Sequence, residues 1–137
     1  MAEKFKVQLV TPKGIIFDKE VEEVIAPGIM GEFGVLVGHT PMLTFIKPGI
    51  LSYLENDTFT RFAVGSGFCE VLKDSMTVLV EEAYGIHEVD ASDISDEMTR
   101  LEQLLVQIDS TANPDEYKKT FQRLTVVRAK LALMSKS

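Results

Sequence analysis

Residues 31–49 read GEFGVLVGHTPMLTFIKPG, and the reading of this stretch decides the fold. Nineteen residues hold four of the chain's nine glycines and two of its five prolines, interleaved with Phe33, Val35, Leu36, Val37, Met42, Leu43, Phe45 and Ile46. Gly31, Gly34 and Gly38 interrupt the backbone too often for a helix. The apolar pieces between them suit short strands that bend at each glycine. Pro41 lacks an amide donor and belongs at a strand start or an edge, and Pro48-Gly49 is a turn before the next apolar run. Such a ribbon lets another surface come close to the backbone.

Outward from this ribbon the pattern stays β on both sides. Phe5 to Thr11 alternates as a half-buried strand, Thr11-Pro12-Lys13-Gly14 turns, and Ile15-Ile16-Phe17 opens a second strand. Val21 to Ala26 alternates again and closes at Pro27-Gly28. Downstream, Ile50–Glu55 and Thr58–Val64 flank Asn56-Asp57 as a hairpin. Gly65-Ser66-Gly67 breaks the chain before Phe68–Leu72, Lys73-Asp74 turns it into Met76–Val80, and a last short strand is expected near Ile86–Val89. About ten short strands with turn signals between them define a β-sandwich or flattened barrel.

The period changes at Asp90. Ile94, Met98, Leu101, Leu105 and Ile108 step by four and three, one face of an α-helix, and Asp90, Ser92 and Asp93 are all candidate N-caps. Asn113-Pro114-Asp115-Glu116 starts a second helix with a cap, an early proline and a glutamate three residues after the cap. Its expected apolar face is Tyr117, Phe121, Leu124, Val127, Leu131 and Met134. A short link makes the pair an antiparallel hairpin. The organisation is therefore mainly β plus α: a sandwich domain over residues 1–89 and a helical hairpin over residues 90–137.

The chain of 137 residues carries a net charge of −7, which disfavours nucleic acid as a partner because phosphate binding needs a basic face. Charge divides with the elements. Residues 90–112 hold one basic and six acidic side chains, and residues 113–137 hold six basic and two acidic. The two helices attract each other, and the basic row Lys118, Arg123, Arg128 and Lys130 also suits an acidic partner. Cys69 is the single cysteine, so no internal disulfide forms and a reducing compartment is expected. No apolar run approaches the ~20 residues that span a bilayer, so no direct membrane insertion is expected and membrane association is expected to go through a protein partner.

Chemistry is weakly signalled. His39 has no nucleophile motif beside it and reads as a histidine bonded within its own loop. Cys69 reads as a buried, inert thiol. His39, His87 and Cys69 lack metal-ligand spacing. Gly65-Ser66-Gly67 has no following Lys-Ser or Lys-Thr for a phosphate loop, and Glu81-Glu82 reads as a solvated strand end. The residues thus describe a chain that binds and does no chemistry, with no cofactor or metal site. The hairpin's apolar burial is largely cancelled by the entropy of ordering it, which leaves its packed state marginal.

Gly31-Glu32-Phe33-Gly34, Gly38-His39-Thr40-Pro41, Leu43-Thr44 and Ile46-Lys47-Pro48-Gly49 together resemble the signature of the epsilon subunit of F-type ATP synthases, without gaps. The order of strands and helices is similar over essentially the whole chain. The resemblance implies a non-catalytic central-stalk subunit that couples proton flow to ATP synthesis and inhibits ATP hydrolysis. It implies a sandwich bound to the gamma subunit and the c-ring, and a hairpin that extends toward the catalytic beta and alpha subunits. Glu32 would face the c-ring loops, while His39, Thr40 and Pro41 would help form the partner-facing surface. The location implied is the cytoplasmic face of a bacterial plasma membrane, held through the complex. Some family members bind ATP through a motif resembling I/L-D-x-x-R-A. Here Val89-Asp90-Ala91-Ser92-Asp93-Ile94 keeps only Asp90 of its polar residues, so weak or no ATP binding is expected. Two other readings stand beside this one: a free-standing β-sandwich adaptor with a docking hairpin, and a small hydrolase that uses His39.

Overall fold

The computed structural model describes residues 3–135. Ten strands precede two helices. They are β1 (Phe5–Thr11), β2 (Gly14–Val21), β3 (Glu23–Gly28), β4 (Gly31–Leu36), β5 (Met42–Ile46), β6 (Gly49–Glu55), β7 (Thr58–Val64), β8 (Gly67–Val71), β9 (Ser75–Val80) and β10 (Ala83–Tyr84). The helices are α1 (Ala91–Gln107) and α2 (Pro114–Ser135). Neighbouring strands run β10-β7-β6-β3-β5-β8-β9-β1-β2, with β4 on the other edge of β3. All pairings are antiparallel except β1 with β9.

The sheet folds over at β3. That strand pairs with β6 through Glu23, Val24 and Ile25, then meets β5 only at Gly28–Ile46. Pro27 lies at the change of partner, where its missing amide costs no ladder bond. Its carbonyl accepts from the Lys47 amide at 2.9 Å, and the Phe45 carbonyl accepts from the Ile29 amide at 3.0 Å. The two halves face each other and enclose one core that includes Val7, Leu9, Val24, Leu51, Val64, Val78 and Met76. Phe17, Tyr53 and Phe62 stack along one margin, with Phe17 and Tyr53 centroids 4.8 Å apart. Asn56 and Asp57 both take positive φ, 52° and 65°, which makes the β6–β7 connection a hairpin turn of the kind that matches strand twist.

Several expected boundaries shift. β3 continues through Pro27-Gly28, because the turn lies at Ile29-Met30 and closes with Gly31 at φ 125°. Gly34 does not bend the chain: it lies inside β4, opposite Ile25. The last strand is Ala83–Tyr84, and Ile86–Glu88, expected to be extended, is a single 3₁₀ turn. There the Glu88 carboxylate accepts from the Gly85 amide at 2.8 Å, a local bond that competes with sheet pairing.

Asp90 caps α1, its Oδ1 accepting from the Ser92 and Asp93 amides at 2.9 and 3.1 Å. The helices pack on each other through Ile94, Leu101, Leu124 and Val127. α2 also packs on β7 and β6, through Ala129 and Leu133 against Ala63 with Ile50 alongside. The expected face of α2 is therefore corrected. Phe121 and Leu131 are 47% and 44% exposed, whereas Val126, Ala129 and Leu133 are buried. A helix held between a partner helix and a sheet buries two stripes, and Val126, Ala129 and Leu133 form the second, outside the single face that the periodicity picks out.

The sandwich core shares no residue with either helix cluster. We therefore expect residues 1–88, expressed alone, to give a soluble β protein that melts cooperatively by circular dichroism. An aggregated or unfolded product means that the helices complete the core.

Candidate functional site

The residues singled out by the signature fall in two places. Glu32 and Gly31 are at the start of β4, and His39, Thr40 and Pro41 follow its end. At ~3.3 Å per residue the strand holds the two groups roughly 15 Å or more apart. They cannot act on one small molecule together.

Glu32 is exposed and lines an open groove of about 510 Å³ with Lys47, Pro48, Ser52, Arg61 and Ala132. The turn before it presents Ile29 and Met30, 59% and 95% exposed. Phe33 points the other way, half-buried against the core and over Gly28. In the second place, the His39 Nδ1 lies 2.7 Å from the Thr40 carbonyl, and the His39 amide donates to Leu36 at 3.1 Å. The imidazole is bonded within its own loop. Cys69 is fully buried, and burial pushes its thiol up to about 11 against a smaller opposing effect of its backbone bond with Thr44. It stays a neutral thiol at physiological pH.

What lies between these places carries the strongest surface feature. On the outer face of the β5-β8-β9-β1 half, Phe45 stands opposite Phe68, Phe68 opposite Leu79, and Leu79 beside Val10. Phe45 is 64% exposed, and Phe68 and Leu79 are also exposed. Leu43, two residues along β5, extends the surface and is 71% exposed. A shallow apolar groove of about 620 Å³ runs along the row, lined also by Pro12 and Gly67. An antiparallel face left to water is normally polar, so a continuous apolar row marks a surface that is covered in use. Periodicity alone missed it. The signal was present as apolar residues at consecutive positions in β5, β8 and β9, which puts one of each pair outward.

The helical residues also change their meaning. Glu82 is not a solvated strand end: its Oε1 accepts from Arg123 Nη1 and from the Tyr84 hydroxyl, each at 2.7 Å. Arg123 Nε reaches Glu97 at 3.2 Å. Burial alone would raise the Glu82 pKa, but the Tyr84 and Arg123 bonds and the nearby cations outweigh it and hold it below the usual carboxylate range. Arg123 is raised by the two carboxylates despite its burial. Lys130 is lowered by burial and by Arg123, and its Nζ sits 4.0 Å from the Tyr84 ring centroid. Arg128 pairs with Glu102 of α1 at 3.6 Å, and Lys118 is exposed. In the packed hairpin Lys118 and Arg128 are the exposed members of the basic row, and Arg123 and Lys130 are partly buried against the sandwich.

The site is thus a set of binding surfaces on a sandwich, with an ion-paired helical hairpin behind it: the form of an assembly subunit. Residues 4–86 match the family model for the ATP synthase delta/epsilon chain beta-sandwich domain. The ATP synthase epsilon chain of Geotalea daltonii is 42% identical over 116 residues, covering 85% of this chain and 81% of its own. That of Hyphomonas neptunium is 40% identical over 111 residues, covering 80% and 82%. Two solved structures share the fold at low identity. A chain of the Euglena gracilis mitochondrial ATP synthase OSCP/F1/c-ring structure has a TM-score of 0.80 at 19% identity, covering 94% of this chain and 80% of its own. A chain of the Tetrahymena thermophila mitochondrial ATP synthase central stalk/c-ring structure has 0.67 at 18%, covering 97% and 98%. The chain belongs to the ATP synthase epsilon chain family. It is a subunit and not itself a catalyst.

Asp90 is committed to capping, and exposed Asp93 occupies the first turn of α1. A phosphate there meets like charge, worth up to ~4 kcal/mol at an effective dielectric near 20. Isothermal titration of the full chain with ATP is expected to give no saturable heat below the high micromolar range. A micromolar dissociation constant shows that other cations compensate.

Proposed function

We propose that this chain is a central-stalk subunit of an F-type ATP synthase, seated between the gamma subunit and the c-ring and taking part in the coupling of proton flow to ATP synthesis. The observation that carries the reading is the apolar row Phe45-Phe68-Leu79-Val10, an uncovered face on a chain of the epsilon family. The row and its flank, His39, Thr40 and Pro41, are the surface for gamma. The Ile29-Met30 tip with Glu32 is the surface for the c-ring loops. The tip adjoins the row through the Ile29–Phe45 backbone bond. Its two exposed apolar side chains suit contact, and its carboxylate suits a basic loop. The OSCP/F1/c-ring and central stalk/c-ring structures that share the fold support this placement. No helix among the described residues is long and apolar enough to cross a membrane. On the proposed reading the chain is held peripherally, through the complex, at the cytoplasmic face of the bacterial plasma membrane.

Residues 1–89 serve as the binding domain and residues 90–137 as a regulatory hairpin. In its packed form α2 keeps Arg123 and Lys130 engaged with the sandwich. Extended, it frees the whole row Lys118, Arg123, Arg128 and Lys130 to meet acidic groups of the catalytic beta and alpha subunits and so restrain ATP hydrolysis.

Phe45→Ser is expected to change the melting free energy by about 1 kcal/mol or less, since that ring is 64% exposed, yet to lose most of the chain from washed membranes. Glu32→Lys is expected to lower proton pumping, whereas Glu20→Lys on exposed β2 is not. Full retention and pumping in all variants ends the docking reading. Separately, the enzyme reconstituted without residues 90–137 is expected to hydrolyse ATP severalfold faster and still pump protons. Unchanged hydrolysis across nucleotide and membrane-potential conditions ends the inhibitory role.

A further inference from the structure

We propose that Arg123 is a latch whose guanidinium ties both helices to the sandwich through Glu82, and that undocking of the hairpin requires this node to open. The proposal rests on the reading that the hairpin leaves the sandwich, and it names the contact that opposes that step.

Three elements meet at this side chain. Arg123 belongs to α2, Glu97 to α1, and Glu82 to the link between β9 and β10. The fork is used on two sides at once, Nη1 to Glu82 at 2.7 Å and Nε to Glu97 at 3.2 Å. A guanidinium offers donors on both edges of one plane, which an ammonium does not. The acceptor is set before the arginine arrives, because the Tyr84 hydroxyl donates to the same Glu82 oxygen at 2.7 Å. Glu82 also needs the glycine beneath it. A Cβ at Gly65 would lie 2.9 Å from Glu82 Cγ, and the Gly65 amide donates to the Glu82 carbonyl at 2.9 Å. Two turns along α2, Lys130 stacks on Tyr84, so a second cation holds the same carboxylate–phenol pair.

The apolar seam under α2 is built on Ala63, Ala129 and the fully buried Leu133, with Ile50, Ile86 and Val89 alongside. The seam holds the helix by non-directional apolar contact, with the Arg61 Nη2 donating to the Leu133 carbonyl at 3.2 Å at its far end, and the Arg123 node adds the charge-assisted, directional contact that also reaches α1. The Arg123, Glu82 and Glu97 side chains keep 34%, 23% and 27% of their surface in water. Water therefore replaces the broken bonds as the node opens, and the latch is reversible. The pair Arg128–Glu102 differs: it is half-exposed and joins α1 to α2 only, so it leaves with the hairpin intact.

Hydrogen exchange on the full-length chain tests this, read at the amides of β7 and α2. Arg123→Gln is expected to speed exchange there about three- to tenfold, tenfold corresponding to ~1.4 kcal/mol. Arg123→Lys is expected to fall between parent and Gln. Glu82→Gln/Arg123→Gln is expected to exchange no faster than Arg123→Gln alone. Arg128→Gln is expected to leave β7 protection unchanged. Parent-like protection of β7 in Arg123→Gln, or equal acceleration by Arg128→Gln, overturns the latch. Should Arg123→Gln fail to fold, Glu82→Gln carries the test: accelerated exchange supports the latch and unchanged exchange overturns it. Failure of the inhibitory reading appears elsewhere, as ATP hydrolysis indifferent to deletion of residues 90–137, and leaves the exchange result standing.

Discussion

The structure turns on the corner at Pro27-Gly28, where one strand passes from one half of the sandwich to the other. Two close approaches make it possible. A Cβ on Gly28 would lie 2.8 Å from the Gly31 carbonyl oxygen and from the Phe33 ring, and one on Gly49 would lie 2.9 Å from the Pro27 Cβ. The Gly31–Gly49 segment therefore wraps around the corner, Phe33 covering one residue and Gly49 the other. Because β5 joins β3 at a single residue pair, the halves are free to stack face to face, and eighteen residues form the enclosed core. The same corner brings Ile29, Met30, Glu32 and Phe45 to one end of the molecule. Fold and proposed partner surface thus share a single geometric cause.

This explains which parts were legible in the sequence. β1, with one buried face, and the β6–β7 hairpin, fixed by its Asn56-Asp57 turn, stand where they were read. The Asp90 boundary was legible too, as a change of period. Errors came where a local or tertiary interaction overrode the pattern. Pro27 reads as a stop, yet it lies inside β3 because its missing donor falls where the partner strand changes. Ile86–Val89 reads as a strand, but the Glu88 carboxylate turns the chain back on Gly85. Phe121 and Leu131 read as core, while Ala129 does the packing.

The candidate surface was half legible. The signature stretch holds Glu32 and the His39 loop, and the loop role of His39 follows from its neighbours. The apolar row did not show, because it exists only across strands. Phe45, Phe68 and Leu79 are separated by 23 and 11 positions in the chain, and register alone aligns them. Each by itself is an ordinary exposed apolar residue; in line they form a surface that water covers poorly.

Glu82 shows the same limit from the polar side. Beside Glu81 it looks solvated, and its partner Arg123 lies 41 positions away. The choice of a charged node over a larger apolar seam has a physical consequence. An apolar seam loses the same transfer free energy whichever way it is pulled apart, and it exposes sticky surface on both sides. A half-exposed ion pair exchanges its partners for water at modest net cost, and its fork geometry accepts only one seating of the helices. Ala63 against Ala129 lets the helix come close to the sheet, and Leu133 is fully buried beside them. An interface that adds a forked cation to an apolar seam is specific when closed, because only one seating of the helices satisfies both.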